Sequence, residues 1–343
     1  MGGKIKIASQ KRRFMITAAV ILVTAIILSS IVYLNSQLNS PKTDSITIGN
    51  AQSFECDTLV YIAQQQNYFL QNGLNVTIMN YTSGMAAVND VLNGKLDLAA
   101  TAEFPLVTNS LKEQNISALA CIGKFQLQDL IARKDHGIQN VSDLNGKIIG
   151  VPLGTISEFY IGRFLELNDL SLQKVTIVNI TPTDAMNAIM NGTVDAVVIW
   201  QPYAYAIEEQ LGSNAIFWSP QSSQATYILE VANNNWIQEN PEIANQFINA
   251  LALAESYHIN NPSKTETMIQ KGLNYSDGYM ASVWHNQQIS LSLDQSLILA
   301  MEDEAQWLIG NNLTNTTSLP NFLNYVYLES LEAAKPNSVA IVH

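Results

Sequence analysis

Cysteine and histidine are scarce in this chain. Two cysteines, Cys56 and Cys121, are too few for a disulfide framework or a structural zinc site. One bridge between them and two buried free thiols both remain open readings. The four histidines, His136, His258, His285 and His343, lack metal-ligand spacing and stand near no nucleophile motif. Neither a metal nor a catalytic residue is assigned, and no cofactor is expected. Charge is scarce too, at 13% of residues, while 47% are apolar, which excludes a disordered chain and supplies a large core. Positive charge is the scarcest on the main body. Lys4, Lys6, Lys11, Arg12 and Arg13 precede the first acid, Asp44, so twelve basic residues face 29 acidic ones beyond them. Such a surface repels phosphate backbones and argues against nucleic acid as a partner.

One long apolar run is present. Residues 14–34 (FMITAAVILVTAIILSSIVYL) carry no charge and are long enough to cross a bilayer as a helix. Lys11, Arg12 and Arg13 precede it, so the positive-inside rule leaves residues 1–13 in the cytoplasm. A cleaved signal peptide is the competing reading. The run exceeds an ordinary signal core and no small-x-small cleavage site follows, which favours an uncleaved anchor. Residues 35–44 read as a polar linker, and the rest of the chain is expected outside the membrane. Asn-x-Ser/Thr sequons at Asn75, Asn80, Asn115, Asn140, Asn179, Asn191, Asn274, Asn312 and Asn315 suit an outer surface, although several are accidents of an Asn-rich chain.

Beyond the linker, β-branched runs alternate with segments of helical period, the pattern of βαβ units around a largely parallel sheet. Residues 86–105 (AAVNDVLNGKLDLAATAEFP) are echoed ninety-eight positions later at 184–203 (DAMNAIMNGTVDAVVIWQPY). In each copy a helix ends at Asn-Gly, where glycine takes the left-handed conformation, and an apolar strand follows. Asp97 and Asp195 fall at matching places and read as scaffold groups that close turns. Two copies predict two similar α/β lobes with a ligand cleft at the carboxyl ends of their strands. From Tyr227 a strand-like segment leads into a mainly helical third that returns to brace the first lobe.

Five segments, in order, resemble the solute-binding proteins of the nitrate, sulfonate, taurine and thiamine-pyrimidine ABC importers. They are LVYIAQQQNYFLQNGLNVTI (59–78), NGKLDLA (93–99), DLNGKIIGVPLGT (143–155), NGTVDAVVIWQP (191–202) and ENPEIANQFINAL (239–251). The resemblance implies an α/β, two-lobed type II periplasmic-binding-protein fold, here preceded by one transmembrane helix. It also implies crossings between lobes near residues 132–137 and 222–227. Lobe 1 is then 45–132 plus 225–343, and lobe 2 is 133–224. Its partners would be a small solute and the permease and ATPase subunits of an importer.

In that fold, strand-to-helix loops line the cleft and offer helix-terminal N–H groups to polar ligand atoms. The candidates are Ser53, Phe54 and Glu55, Ser83 and Gly84, Thr101 and Glu103, Thr155 and Ser157, and Trp200 with Gln201. The hydroxyls of Ser83, Thr155 and Ser157 are equally suited to capping helices, and Trp200 to a core position. Glu55 and Glu103 tilt the expectation toward a ligand with an amine or ring N–H, such as taurine or an aminopyrimidine. A pyrimidine-synthase-like enzyme is the rival, disfavoured because the cysteine cluster of that branch is missing. A sensory receptor domain is the other, disfavoured because only a short tail precedes the anchor and nothing follows His343.

Overall fold

A computed structural model describes residues 43–51, 54–222, 224–284 and 287–342; of residues 54–57 only the backbone is described. Residues 1–13, the apolar run at 14–34 and most of the linker lie outside these residues. Among the described residues, no helix is long and apolar enough to cross a membrane.

The chain builds two sheets. The first has seven strands in the order β12-β11-β4-β10-β3-β1-β2, and the second has five in the order β7-β6-β8-β5-β9. β1 (Asp44–Ala51), β2 (Leu74–Tyr81) and β3 (Leu98–Ala102) run parallel, as do β6 (Ile148–Val151), β7 (Thr176–Asn179) and β8 (Ala196–Trp200). Each parallel triplet is closed by one antiparallel strand, β10 (Thr226–Asn233) beside β3 and β5 (Gln128–Arg133) beside β8. The two halves therefore share the arrangement β2-β1-β3-β10 and β7-β6-β8-β5. The helices match as well: α1 (Phe54–Gln65) and α4 (Ile156–Leu167) follow the first strand of each triplet. α2 (Gly84–Leu92) and α5 (Pro182–Met190) precede the third, and α3 (Glu103–Ser110) and α6 (Tyr203–Leu211) follow it. Outside the triplets, β4 (Ile116–Phe125), β5, β9 (Ala215–Trp218), β10 and β11 (Gln287–Asp294) join by antiparallel pairing, and only the short β12 runs parallel to its neighbour β11.

The repeated Asn-Gly-x-x-Asp segment explains the match. Gly94 and Gly192 have φ of 68° and 77°, the left-handed turn that glycine adopts without steric cost. Three residues on, the Asp97 carboxylate accepts from the Thr47 N–H at 2.7 Å, and Asp195 accepts from the Ile148 N–H, also at 2.7 Å. Each aspartate pins the start of the third strand to the first. Asp97 also accepts from the Thr47 hydroxyl at 2.9 Å, whereas Asp195 takes its second partner from a different residue, His136 Nδ1, at 2.6 Å.

The chain leaves the first sheet at residues 126–127 and returns at 219–225. The first crossing thus falls ahead of the expected 132–137, because β5 pairs with β8 and β9 and so belongs to the second sheet. Gln221, 1% exposed, binds the crossings together: its Oε1 accepts from Gln128 N–H at 2.9 Å and its Nε2 donates to Phe125 O at 3.1 Å. The C-terminal third adds β10, β11 and β12 (Val339–Ala340) to the first sheet, with α7 (Pro241–Asn260), α8 (Pro262–Leu273) and α9 (Gln295–Gly310). α4 and α9 join the lobes. Ile156, Phe159 and Tyr160 of α4 enter the first lobe's core, Phe159 meets Trp307 edge-on at 5.5 Å, and Arg163 pairs with Asp303 at 2.7 Å. Gly162 permits this approach, since any side chain there would overlap the Trp307 ring.

Candidate functional site

The carboxyl ends of β1, β3 and β8 and the amino ends of α2 and α4 surround a cavity of about 50 Å³. Ala51, Gly84, Met85, Thr101, Ala102, Pro105, Thr226 and Ile228 line it from the first lobe, and Gln128, Thr155, Ile156 and Trp200 from the second. None of these twelve side chains carries a charge. The volume admits roughly three to five water-sized groups.

Two helices aim their amino ends at this space. α2 has nine residues; its cap Ser83 accepts from the Ala86 N–H at 3.3 Å, which leaves the N–H groups of Gly84 and Met85 to the cavity side. α4 has twelve, with Thr155 at the cap and its hydroxyl donating to Pro152 O at 2.6 Å. Both present the positive end of a macrodipole. Thr101 is fully buried in the wall and its Oγ1 has no hydrogen-bond partner among the described residues. Gly84 is required beside it, because a Cβ there would lie 2.9 Å from the Thr101 Cα and closer still to its hydroxyl.

Of the residues singled out in the sequence, Gly84, Thr101, Thr155 and Trp200 meet at the cavity. Trp200 is 7% exposed, with Tyr203 edge-on to its ring at 6.3 Å. Ser83 takes the capping role. Ser157, next to the wall residue Ile156, is fully buried, and its Oγ donates to Gln128 Oε1 at 2.7 Å and so orients that amide. Gln201 lies behind Trp200: its Nε2 donates to Asp129 at 2.9 Å and its Oε1 accepts from Tyr205 N–H at 3.0 Å. Burial pushes Asp129 up to about 6, against the hydrogen bond from Gln201. Ser53 lies outside the described residues, and Phe54 and Glu55 begin α1.

Glu103 is not brought to the cavity. It opens α3 with its side chain fully buried, turned away from the cleft and toward Glu304 of α9, itself fully buried. Burial raises both carboxyls, and the neighbouring Glu103 raises Glu304 further. Gln128 and Thr226 belong to the cavity yet escaped the sequence reading. Both sit at the first position of a strand just after a crossing, and placing the first crossing late put Gln128 inside the wrong lobe.

Cys121 is a buried free thiol whose Sγ donates to Gly123 O at 3.3 Å. Among the described residues, no group of three or more His, Cys, Asp or Glu is placed to hold a metal ion.

Comparison with known proteins bears on the same region. The family described as NMT1/THI5 like matches residues 57–265, more than half of the chain. The chain belongs to the NMT1/THI5-like family. A similar sequence, from Brucella abortus, is named a putative binding protein and is 24% identical over 234 residues, 66% of this chain and 71% of that one. The formylaminopyrimidine-binding protein of Halalkalibacterium halodurans is 19% identical over 60% of this chain and 64% of its own length. The NMT1/THI5-like fold is also that of the alkanesulfonate-binding protein SsuA from Xanthomonas axonopodis pv. citri, solved with MOPS bound. The two superpose with a TM-score of 0.72 at 16% identity, over 83% of this chain and 98% of that one. The fold is thus the two-lobed periplasmic-binding-protein type.

Proposed function

We propose that the chain is the extracytoplasmic solute-binding component of an ABC importer, capturing a small organic anion of the sulfonate kind between its lobes without chemistry. One observation carries the choice of ligand: two helix amino ends, one from each lobe, converge on a cavity with no charged side chain. Unpaired N–H groups at positive dipole ends favour an anionic oxygen, and the Thr101 hydroxyl supplies a further donor. The carboxylate argument for an amine-bearing ligand weakens accordingly, since Glu103 is inside the core. The binding residues in this reading are Gly84, Thr101, Thr155 and Trp200, joined by Gln128, with Phe54 and Glu55 at the start of α1 and Ser53 just before them in the sequence. Ser83, Ser157 and Gln201 hold that set in place. The sulfonate and pyrimidine ligands named for relatives set the range of candidates. Because the cavity is small, entry of a solute requires the lobes to part about the crossings that Gln221 ties together.

Thermal unfolding of the full chain with ethanesulfonate, nitrate and 4-aminopyrimidine tests the ligand class. Ethanesulfonate at a hundredfold over its Kd should stabilise by about 2.7 kcal/mol. Stabilisation by 4-aminopyrimidine alone contradicts an anion site.

Residues 14–34 are proposed as an uncleaved membrane anchor that holds this domain outside the membrane, near a permease and its ATPase. Protease added from outside to intact cells should digest everything beyond residue 35 while the chain stays with the membrane. A soluble form beginning near residue 35 contradicts the anchor.

A further inference from the structure

A second cavity, of about 530 Å³, opens beside the central one. It lies within the size range of organic-ligand pockets. Its walls come from both lobes: Asn50 at the end of β1, Asn80 near the end of β2, Tyr61 of α1, and Tyr203 at the start of α6. Gly272 and Tyr275, from the end of α8 and just beyond it, close the far side. No charged side chain stands in these walls among the described residues. Three tyrosine rings and two carboxamides are a chemistry that selects flat, uncharged groups with a hydrogen-bonding edge, by ring contact and by amide pairing.

The two cavities share a wall. Ala51 lines the central one and Asn50, the residue before it, lines the second; Trp200 lines the central one and its ring is met edge-on by Tyr203 of the second. Rings continue outward, with Tyr275 at 4.5 Å from Tyr279 and Tyr279 at 5.5 Å from Tyr205. Gly272 has a particular part in this wall. A methyl group there would overlap the Tyr61 hydroxyl, so the glycine sets where that ring lies.

We propose that the second cavity is a subsite for an aromatic or heteroaromatic ring, so that the preferred solute is an anion carrying such a ring rather than a short-chain one. This rests on the anion-binding reading of the central cavity, and the test separates the two. Calorimetry on the full chain compares naphthalene-2-sulfonate, ethanesulfonate and uncharged 2-naphthol. Naphthalene-2-sulfonate should bind about tenfold or more tightly than ethanesulfonate, the scale of one favourable ring contact. Tyr61→Leu and Gly272→Ala should each bring that ratio to about twofold or less while leaving ethanesulfonate unchanged. Gly272→Ala favours the helix and so guards against a folding artefact. Equal binding of the two sulfonates by the parent, or an undiminished ratio in both variants, overturns the subsite. If neither sulfonate binds, the central anion site fails. In that case 2-naphthol binding that Tyr61→Leu weakens upholds the aromatic subsite, and its absence in the parent overturns it.

Discussion

Glu230 stands in the middle of β10 with its side chain fully buried and neither carboxyl oxygen hydrogen-bonded among the described residues. Burial pushes it up to about 8 from an ordinary value of 4.5. The folded chain therefore holds a proton that the unfolded chain gives up. That contribution to stability is complete below about 4.5 and is lost progressively as pH rises to about 8. Glu230→Gln should flatten the fall by up to about 1.4 kcal/mol per pH unit across that window, as read by denaturant unfolding at several pH values. Parallel curves for parent and variant would mean that Glu230 is ionised or solvated in the fold. At this scale the sequence spoke unevenly. The backbone position of a helix start after a strand was legible, and Gly84 and Thr155 line the cavity there, although Ser83 caps its helix instead. The direction of a side chain in a helix's first turn was not legible. Glu103 follows the same strand as Thr101, yet the helical turn that begins at Glu103 swings its carboxyl into the core against Glu304, a residue 201 positions away in sequence.

Elements were more legible than side chains, since a strand-helix echo constrains backbone as well as composition. The matched Asn-Gly turns and aspartates at 97 and 195 fold into the same hydrogen bonds, and both copies sit third in a parallel triplet. The antiparallel closing strands escaped notice. β5 carries an apolar core, Leu130, Ile131 and Ala132, that fits either sheet by pattern alone. Only its pairing with β8, set by long-range packing, assigns it to the second lobe, which moves the crossing to residues 126–127. The second crossing ends at Thr226, which reaches the cavity wall and shares a 3.0 Å hydrogen bond with the Tyr160 hydroxyl of α4. One crossing residue thus touches the candidate site and the helix that joins the lobes.

In the whole molecule, the same few segments form the cavity and the contacts between the lobes. α4 contributes its amino end to the cavity and its middle to the first lobe's core, so a ligand bridging the lobes also bears on the Phe159–Trp307 and Arg163–Asp303 contacts. Two-lobed architecture was legible from two copies of one unit. The small central cavity and the neighbouring tyrosine-lined one were not, because the first depends on residues from eight separate elements and the second on residues from five. The central claim is that an organic anion binds where the helix ends meet, against Trp200. Isothermal titration of ethanesulfonate into the full chain and into Trp200→Ala tests it most directly. Removal of the apolar wall should weaken binding by about 1–3 kcal/mol, a loss of roughly fivefold or more. Binding to Trp200→Ala with the parent's affinity, or no binding to the parent, would contradict the account.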